Sequence, residues 1–262
     1  MTQLIGPQQL PVPDPGAAPD VVGDLLALAQ RLKLMLPFPV TDLDGLAPYN
    51  ASDYESARIH VDELNCDFIA RDGVWVQDGI AKFADAAART SAYAKASAAY
   101  LLAGLKSTLT TRAVAGEPAT VIDRYNGSAW KAWESDWISQ SDPLSGVSPV
   151  TQVADYKYQG GDLRMKGLAT ITGAPTIGTV ALTSPVALVT TRGNAINSGL
   201  LFIDAGTANI PAYATLTAST TITLLAMLTS GTYAGQAAPS SSIPFTWVST
   251  DSIQWDLLLE VA

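Results

Sequence analysis

The chain has 262 residues, of which 48% are hydrophobic and 15% charged, so it can bury a large core and is long enough for two or three domains. Its net charge is −9, and no Lys or Arg follows Arg192. Because phosphate contacts need cations, the C-terminal part is not expected to bind nucleic acid. The single cysteine, Cys66, excludes an intrachain disulfide. The N-terminus lacks the pattern of a secretory signal and no apolar run approaches a membrane span, so membrane insertion is not expected.

The first 36 residues are predicted to form a proline-rich attachment arm, residues 1–19, and a helix, residues 20–36. The prolines of the arm favour an extended, polyproline-like path, which is either a flexible tail or an arm lying along a partner. The apolar residues of the helix are spaced alternately four and three apart, like the seam of a coiled coil. The helix therefore either packs on its own chain or forms an oligomeric bundle. The seam consists of Val21, Leu25, Leu28, Leu32 and Met35.

Two segments, residues 40–78 and 80–133, resemble one another. Each has a helical turn, an apolar strand, an Arg, an Asp-Gly or Asn-Gly pair and a Trp. These pairs between strand-like residues are strong hairpin signals, because both turn positions need positive φ. We predict two small α+β modules, each of which buries little apolar surface alone and must lean on its neighbours. The turns are at Asp72-Gly73 and Asn126-Gly127, and the tryptophans are Trp75 and Trp130.

Residues 134–153 are rich in Ser, Asp, Pro and Gly and are interpreted as a linker. From residue 154 to 262 the chain is predicted to form an antiparallel, jelly-roll-like β-sandwich. Its most regular stretch, residues 156–172, alternates apolar and polar residues after a turn at Gly160-Gly161. Strands are expected near 154–159, 162–172, 177–182, 186–190, 200–205, 212–217, 220–227, 244–249 and 253–261, with a turn at residues 173–175.

The outward positions of this predicted sandwich are mostly Thr, Ser and Ala. Such a sheet lacks the charged residues that usually prevent edge pairing, which favours burial against copies of itself. The fold class predicted for the whole chain is therefore mainly β: an N-terminal arm, a short coiled-coil-like helix, two small α+β modules and a C-terminal sandwich. A homotrimer is expected, joined through residues 20–36 and the sandwich.

Few residues suggest catalysis, and no catalytic, cofactor or metal site is predicted. The only histidine, His60, lies in a strand pattern and is expected to be structural or solvent-facing. Carboxylate pairs can hydrolyse glycans, but acidic residues in turns are usually just solvated. The two pairs considered are Asp62 with Glu63 and Asp251 with Asp256.

Four aromatic residues of the C-terminal part are candidates for stacking on a glycan: Trp247, Trp255, Tyr213 and Tyr233. The favoured interpretation is that they are core aromatics of the sandwich. A stacking platform for sugars is the alternative.

Residues 40–262 resemble structural proteins of tailed bacteriophages that infect high-GC Gram-positive hosts. The sequences FADAAAR and RYNGSAW of the second module are similar to a helix and a hairpin common in those proteins. The C-terminal part, from YKYQGGDLRMKGLATIT to TWVSTDSIQWDLLLEVA, resembles the β-sandwich that ends such fibre and minor tail proteins. The chain departs from the pattern by an insertion over residues 90–103 and by a degenerate helix in the first module.

The resemblance implies a virion structural protein, usually a homotrimer, that attaches by its N-terminus and displays its C-terminus. It implies no catalytic residue. We expect a tail fibre or minor tail protein, assembled in the host cytoplasm, with residues 1–36 on other virion proteins and the sandwich facing host cell-surface glycan. The alternatives are a capsid head fibre or decoration protein and, from another class, a glycan-degrading enzyme.

Overall fold

The computed structural model describes residues 3–5, 10–12, 23, 25, 38–96, 103–190, 195–196, 199–205, 207–228 and 235–262. Among the residues that the structure describes, strands account for 59% and helices for 11%, which confirms the predicted mainly β class. The chain divides into two compact units. Unit 1 comprises residues 1–115 and 122–131, and unit 2 comprises residues 116–121 and 132–262.

In the described residues of the proline-rich arm, the backbone does not follow the predicted polyproline-like path. Strand β1 (Gln3–Ile5) pairs antiparallel with β2 (Leu10–Val12), with Leu4 opposite Pro11. Proline is tolerated here because a two-stranded pair leaves one side of each strand without a ladder. In the predicted helix, Gly23 and Leu25 are helical, and the rest of residues 20–36 lies outside the described residues.

A four-stranded sheet forms the first part of unit 1. Strand β3 (Phe38–Val40) runs parallel to β4 (Arg58–Val61), and β5 (Cys66–Arg71) lies antiparallel between β4 and β6 (Val74–Asp78). The predicted Asp72-Gly73 turn joins β5 to β6, and both of its residues have positive φ, at 50° and 76°. This hairpin prediction is confirmed.

The second part of unit 1 adds β7 (Ala81–Phe83) parallel to β8 (Leu109–Val114), with helix α1 (Ala86–Ala94) between them in sequence. The Asp85 carboxylate caps α1 by accepting from the Ala88 amide at 2.8 Å. Strands β9 (Glu117–Tyr125) and β10 (Trp130–Ser135) contribute residues to both units.

One hydrophobic core is shared by the two predicted modules. Ile59 and Trp75 of the first and Tyr93 and Leu105 of the second belong to the same buried cluster. The close packing is visible at Gly104, where an added Cβ would lie 1.9 Å from the Trp75 carbonyl oxygen. Each module alone would have too little apolar surface to bury, which is why they share a core.

The centre of unit 2 is a long hairpin of β12 (Leu144–Gln159) and β13 (Asp162–Thr183) around the predicted Gly160-Gly161 turn. The predicted alternation is confirmed: the side chains at 163, 165, 169 and 171 are buried, with at most 1% of their surface exposed. Gly167 completes this inward row, and Trp255 of the next strand packs directly over it.

The predicted linker is wrong for most of its length. Residues 138–139 form β11 (Ile138–Ser139), which pairs with β12, and residues 144–153 are the first part of β12 itself. Ser and Pro are accommodated because the pairing of β12 with β13 has two irregularities. At the second irregularity, residues 172–175 of β13 lie opposite Pro149 alone. The predicted turn at 173–175 is therefore a bulge within a continuous strand.

The remaining strands of unit 2 are β14 (Ala195–Ile196), β15 (Leu201–Asp204), β16 (Ala208–Ala218), β17 (Thr221–Leu228), β18 (Gly235–Ala237) and β19 (Ser252–Glu260). The order β13–β19–β15–β16–β17 closes on itself, because β17 also pairs antiparallel with the end of β13. The strands predicted at 186–190 and 244–249 are wrong, because both segments are irregular. Side-chain oxygens accept from one backbone amide in each: Ser184 Oγ from Val186, and the Asp251 carboxylate from Val248.

Candidate functional site

Two of the four predicted stacking aromatics are core residues. Trp255 is 1% exposed and Trp247 is 4% exposed, so neither presents a ring face to a ligand. The Trp247 indole donates to the Ile243 carbonyl at 3.0 Å and meets the Phe202 ring edge-on. The platform interpretation is wrong for both tryptophans, because both side chains are buried in the core.

The other predicted binding residues are only partly described. Tyr213 lies half-buried at an outward position of β16, and Tyr233 lies outside the described residues. In the predicted oligomer seam, Leu25 is helical and 59% exposed. The other four seam residues, Val21, Leu28, Leu32 and Met35, lie outside the described residues.

The two C-terminal carboxylates do not form a pair. Asp251 is fully buried and accepts hydrogen bonds from the Ala205 and Val248 amides at 3.0 and 2.7 Å. These bonds connect the loop at Ala205 to the loop at Val248. Asp256 lies at an outward position of β19, where both of its oxygens accept from Arg164 at 2.7 and 2.8 Å. The Arg164 hydrogen bonds lower the pKa of the Asp256 carboxyl.

The carboxylates of Asp62 and Glu63 each have a nitrogen-bearing side chain nearby. Glu63 lies 2.8 Å from the Lys95 ammonium, and Asp62 lies 3.9 Å from the ring of His60. His60 itself is half-buried in β4, with Nδ1 2.7 Å from the Asp67 carboxylate. Among the described residues, no three His, Cys, Asp or Glu side chains converge as a metal ion would require.

The outward face of unit 2 carries a row of apolar side chains that crosses five neighbouring strands. We call it the apolar row, and it comprises Val153, Leu168, Leu201 and Pro211, interrupted by Gln254. Val153 and Leu168 are direct cross-strand partners and are 73% and 43% exposed. At a strand spacing of about 4.8 Å, the row extends roughly 19 Å along the sheet. Side chains of this size at outward positions are typical of a surface that another molecule covers.

Charged side chains of both signs adjoin the apolar row. Asp155, Lys166 and Asp256 occupy the next outward positions of β12, β13 and β19, so that a cation lies between two anions. Lys166 is 3.7 Å from Asp155 and 4.0 Å from the centre of the Trp137 ring. Alternating signs beside an apolar strip allow another protein surface to pair with it without excess like charge.

Unit 1 contains a separate cavity of about 460 Å³. The residues that line it include Arg89, Thr90, Tyr93, Tyr125, Ser128 and Trp130. The ring centres of Tyr93 and Tyr125 lie 4.7 and 5.2 Å from that of Trp130. Cavities that bind small molecules combine such apolar walls with a few convergent polar groups.

A buried ion triad lies beside this cavity. Asp123 is 1% exposed, and one of its oxygens accepts from both Arg89 Nη1 and Arg112 Nε, the latter at 2.8 Å. Arg89 is 7% exposed, and burial lowers its pKa although Asp123 opposes the shift. Sequence reasoning missed this triad. The signal that could have revealed it is the strand position of Asp123. Side chains two positions apart in a strand face the same side, so Asp123 faces inward like buried Val121. A buried carboxylate needs a cationic or donor partner.

No family model, curated protein or solved structure matches this chain. None of the helices in the described part of the chain has the length and hydropathy needed to span a bilayer.

Proposed function

We propose that this chain is a structural protein of a tailed-bacteriophage particle, a tail fibre or minor tail protein that assembles as a homotrimer. Residues 1–36 attach to other virion proteins, and the C-terminal jelly-roll-like sandwich is exposed for binding host cell-surface glycan. The proposal is supported by the resemblance of residues 40–262 to such proteins and by the apolar, mixed-charge outward face of unit 2.

The observation that carries the proposal is the apolar row. An isolated chain would leave Val153 and Leu168 in water side by side. Burying a fully exposed Val or Leu contributes roughly 1.5–3 kcal/mol, so covering Val153 and Leu168, which are 73% and 43% exposed, contributes roughly 2–3 kcal/mol towards association. The flanking Asp155, Lys166 and Asp256 restrict the register of that contact.

The oligomeric state tests this directly. Light scattering after size exclusion of the full chain at micromolar concentration is expected to give three times the chain mass of 27.4 kDa. Leu168→Glu is expected to shift the population to smaller species, because a charge within the row is desolvated only in the assembly. The fold of the chain tolerates Glu there, since Leu168 points outward.

Ile80→Glu is the matched control. Ile80 is 47% exposed, like Leu168, but belongs to unit 1, so its substitution is expected to leave the mass unchanged. A monomeric wild-type chain would overturn the trimer. A Leu168→Glu variant that is folded and still trimeric would show that the apolar row is not the interface.

A further inference from the structure

The cations of unit 2 are gathered at one place on its surface. Unit 2 contains four Lys or Arg residues against ten Asp or Glu residues. Three of the four, Lys157, Arg164 and Lys166, lie at outward positions of the β12–β13 hairpin. Their charged groups are 5.0, 6.0 and 4.0 Å from the centre of the Trp137 ring, and we call these four residues the cationic patch. The fourth cation, Arg192, lies outside the described residues.

The cationic patch is not fully neutralised by its own chain. Lys157 and Arg164 are direct cross-strand partners, and like charges at such positions are destabilising. Asp256 holds Arg164, and Asp155 lies 3.7 Å from Lys166. In the described part of the chain, no Asp or Glu forms an ion pair with Lys157. An anion supplied from outside would therefore be stabilised beside Lys157.

The charged groups of the patch are accessible to a large ligand. The side chains of Arg164 and Lys166 are 40% and 43% exposed, and Lys157 is half-buried. Beyond Arg164, the next outward positions of β13 and β19 carry the anions Asp162 and Glu260. These anions bound the patch on that side, so a negatively charged chain is confined to the cations.

A cleft of about 350 Å³ adjoins the patch at Arg164, and its lining also includes Gln159, Gly199, Asp256 and Leu258. Leu258 is the cross-strand partner of Arg164 and is 55% exposed, so it offers an apolar contact to a ligand ring. The Asp256 side chain is 42% exposed. Each of its oxygens accepts one hydrogen bond from Arg164, which leaves lone pairs for ligand hydroxyls. This combination fits a hydroxyl-rich ring with one apolar face.

We propose that the cationic patch and the adjoining cleft bind an acidic polysaccharide, with its anionic groups on Lys157 and Lys166 and a sugar ring in the cleft. This inference rests on the proposed function, because it specifies the charge of the glycan that unit 2 binds. Uronate-bearing and sulfated chains share the required chemistry, which is repeated negative charge on sugar rings. The net charge of the whole chain is −9, so the remaining surface does not attract such a polymer.

Surface plasmon resonance of the full chain over immobilised polymers tests the site. Polygalacturonate and dextran sulfate are the acidic polysaccharides, dextran is the neutral one, and polyglutamate carries the charge without the sugar. At least one acidic polysaccharide is expected to bind at least tenfold tighter than dextran and polyglutamate, and to bind more weakly as salt is raised. Binding of neither overturns the site. Equal binding of dextran overturns the role of the cations, and equal binding of polyglutamate overturns the assignment to a sugar.

Lys157→Gln removes the cation that lacks a carboxylate partner. The affinity for the acidic polysaccharide is expected to fall at least threefold, and at least tenfold when Lys166→Gln is added. Lys82→Gln is the matched control, because Lys82 is an exposed lysine of β7 in unit 1, and it is expected to change the affinity less than twofold. Unchanged affinity in the double variant overturns the proposal.

The stability of the same variant separates a binding role of Lys157 from a structural one. If Lys157 served only to hold Trp137, Lys157→Gln would lower the urea midpoint of unfolding. Because Lys157 faces Arg164 across the hairpin, we expect the midpoint to stay unchanged or to rise. A lower midpoint together with unchanged affinity would show that the contact is structural and overturn the site.

Light scattering of the same samples separates this site from the proposed trimer. A monomeric chain that binds an acidic polysaccharide through Lys157 supports the cationic patch while refuting the trimer. A trimeric chain that binds neither acidic polysaccharide overturns the patch while leaving the structural assignment in place.

Discussion

Gly167 is a position in unit 2 at which a single added methyl group tests the packing of the core. An alanine Cβ there would lie 2.2 Å from Cζ2 of Trp255 and 2.8 Å from the Val153 carbonyl oxygen. Neither neighbour can withdraw easily: Trp255 is 1% exposed, and the carbonyl belongs to the backbone of β12. Overpacking of a core typically costs 1–3 kcal/mol, and we expect Gly167→Ala to reach about 3 kcal/mol. That is a change of roughly 100-fold or more in the unfolding equilibrium.

Gly178→Ala is the matched control on the same strand. Its Cβ would meet nothing nearer than the Gly146 carbonyl oxygen at 3.8 Å, so we expect a change within about 0.5 kcal/mol. Urea unfolding followed by far-ultraviolet circular dichroism measures both, whereas fluorescence would report the altered surroundings of Trp255 directly. A difference of less than 1 kcal/mol between the two variants would refute the packing argument.

Two further predictions concern carboxylates. Asp251→Asn is expected to lower the unfolding free energy by about 2–3 kcal/mol. An amide cannot accept both of the backbone N–H hydrogen bonds that the buried carboxylate accepts. An unchanged urea midpoint would contradict this. Asp256→Asn is expected to cost less than about 1 kcal/mol at pH 7, since the ion pair with Arg164 is well exposed. Because Arg164 lowers the folded-state pKa of Asp256, this contribution is present above the unfolded pKa near 4 and is lost as pH falls through the folded pKa. Thermal unfolding at pH 7 and pH 2 should therefore show the two chains converging in acid, and a gap that persists at pH 2 would contradict the argument.

Local signals predicted the parts of the fold that local chemistry determines. The alternation over residues 162–171 and the turns at Asp72-Gly73 and Gly160-Gly161 are confirmed, because strand faces and positive-φ turns depend on neighbouring residues. The linker prediction is wrong for residues 144–153, because their Ser and Pro content is typical of loops. Their strand conformation comes from pairing with β13. Propensity is overridden wherever a partner strand supplies the hydrogen bonds.

The candidate sites were less predictable than the strands. The apolar row depends on the register of five strands, and two of its members, Val153 and Leu201, are unremarkable in sequence. The Arg89–Asp123 contact joins residues 34 positions apart, so spacing alone cannot reveal it. Conversely, Trp255 is a candidate for glycan stacking in the sequence because it is a large aromatic residue. Its size is also the reason that it lies in the core over Gly167.

The bulge opposite Pro149 has a consequence for how the length of this chain can change. Between Ile171 and Thr176 of β13, four residues face a single residue of β12, so they are outside the regular ladder. Removing two of them shortens the bulge without reversing the faces of either arm, whereas removing one residue from 164–170 would turn an arm's buried side chains toward water. Residues 172–175 are thus the place in the long hairpin where insertions and deletions can accumulate among related sequences while both arms keep their inward rows.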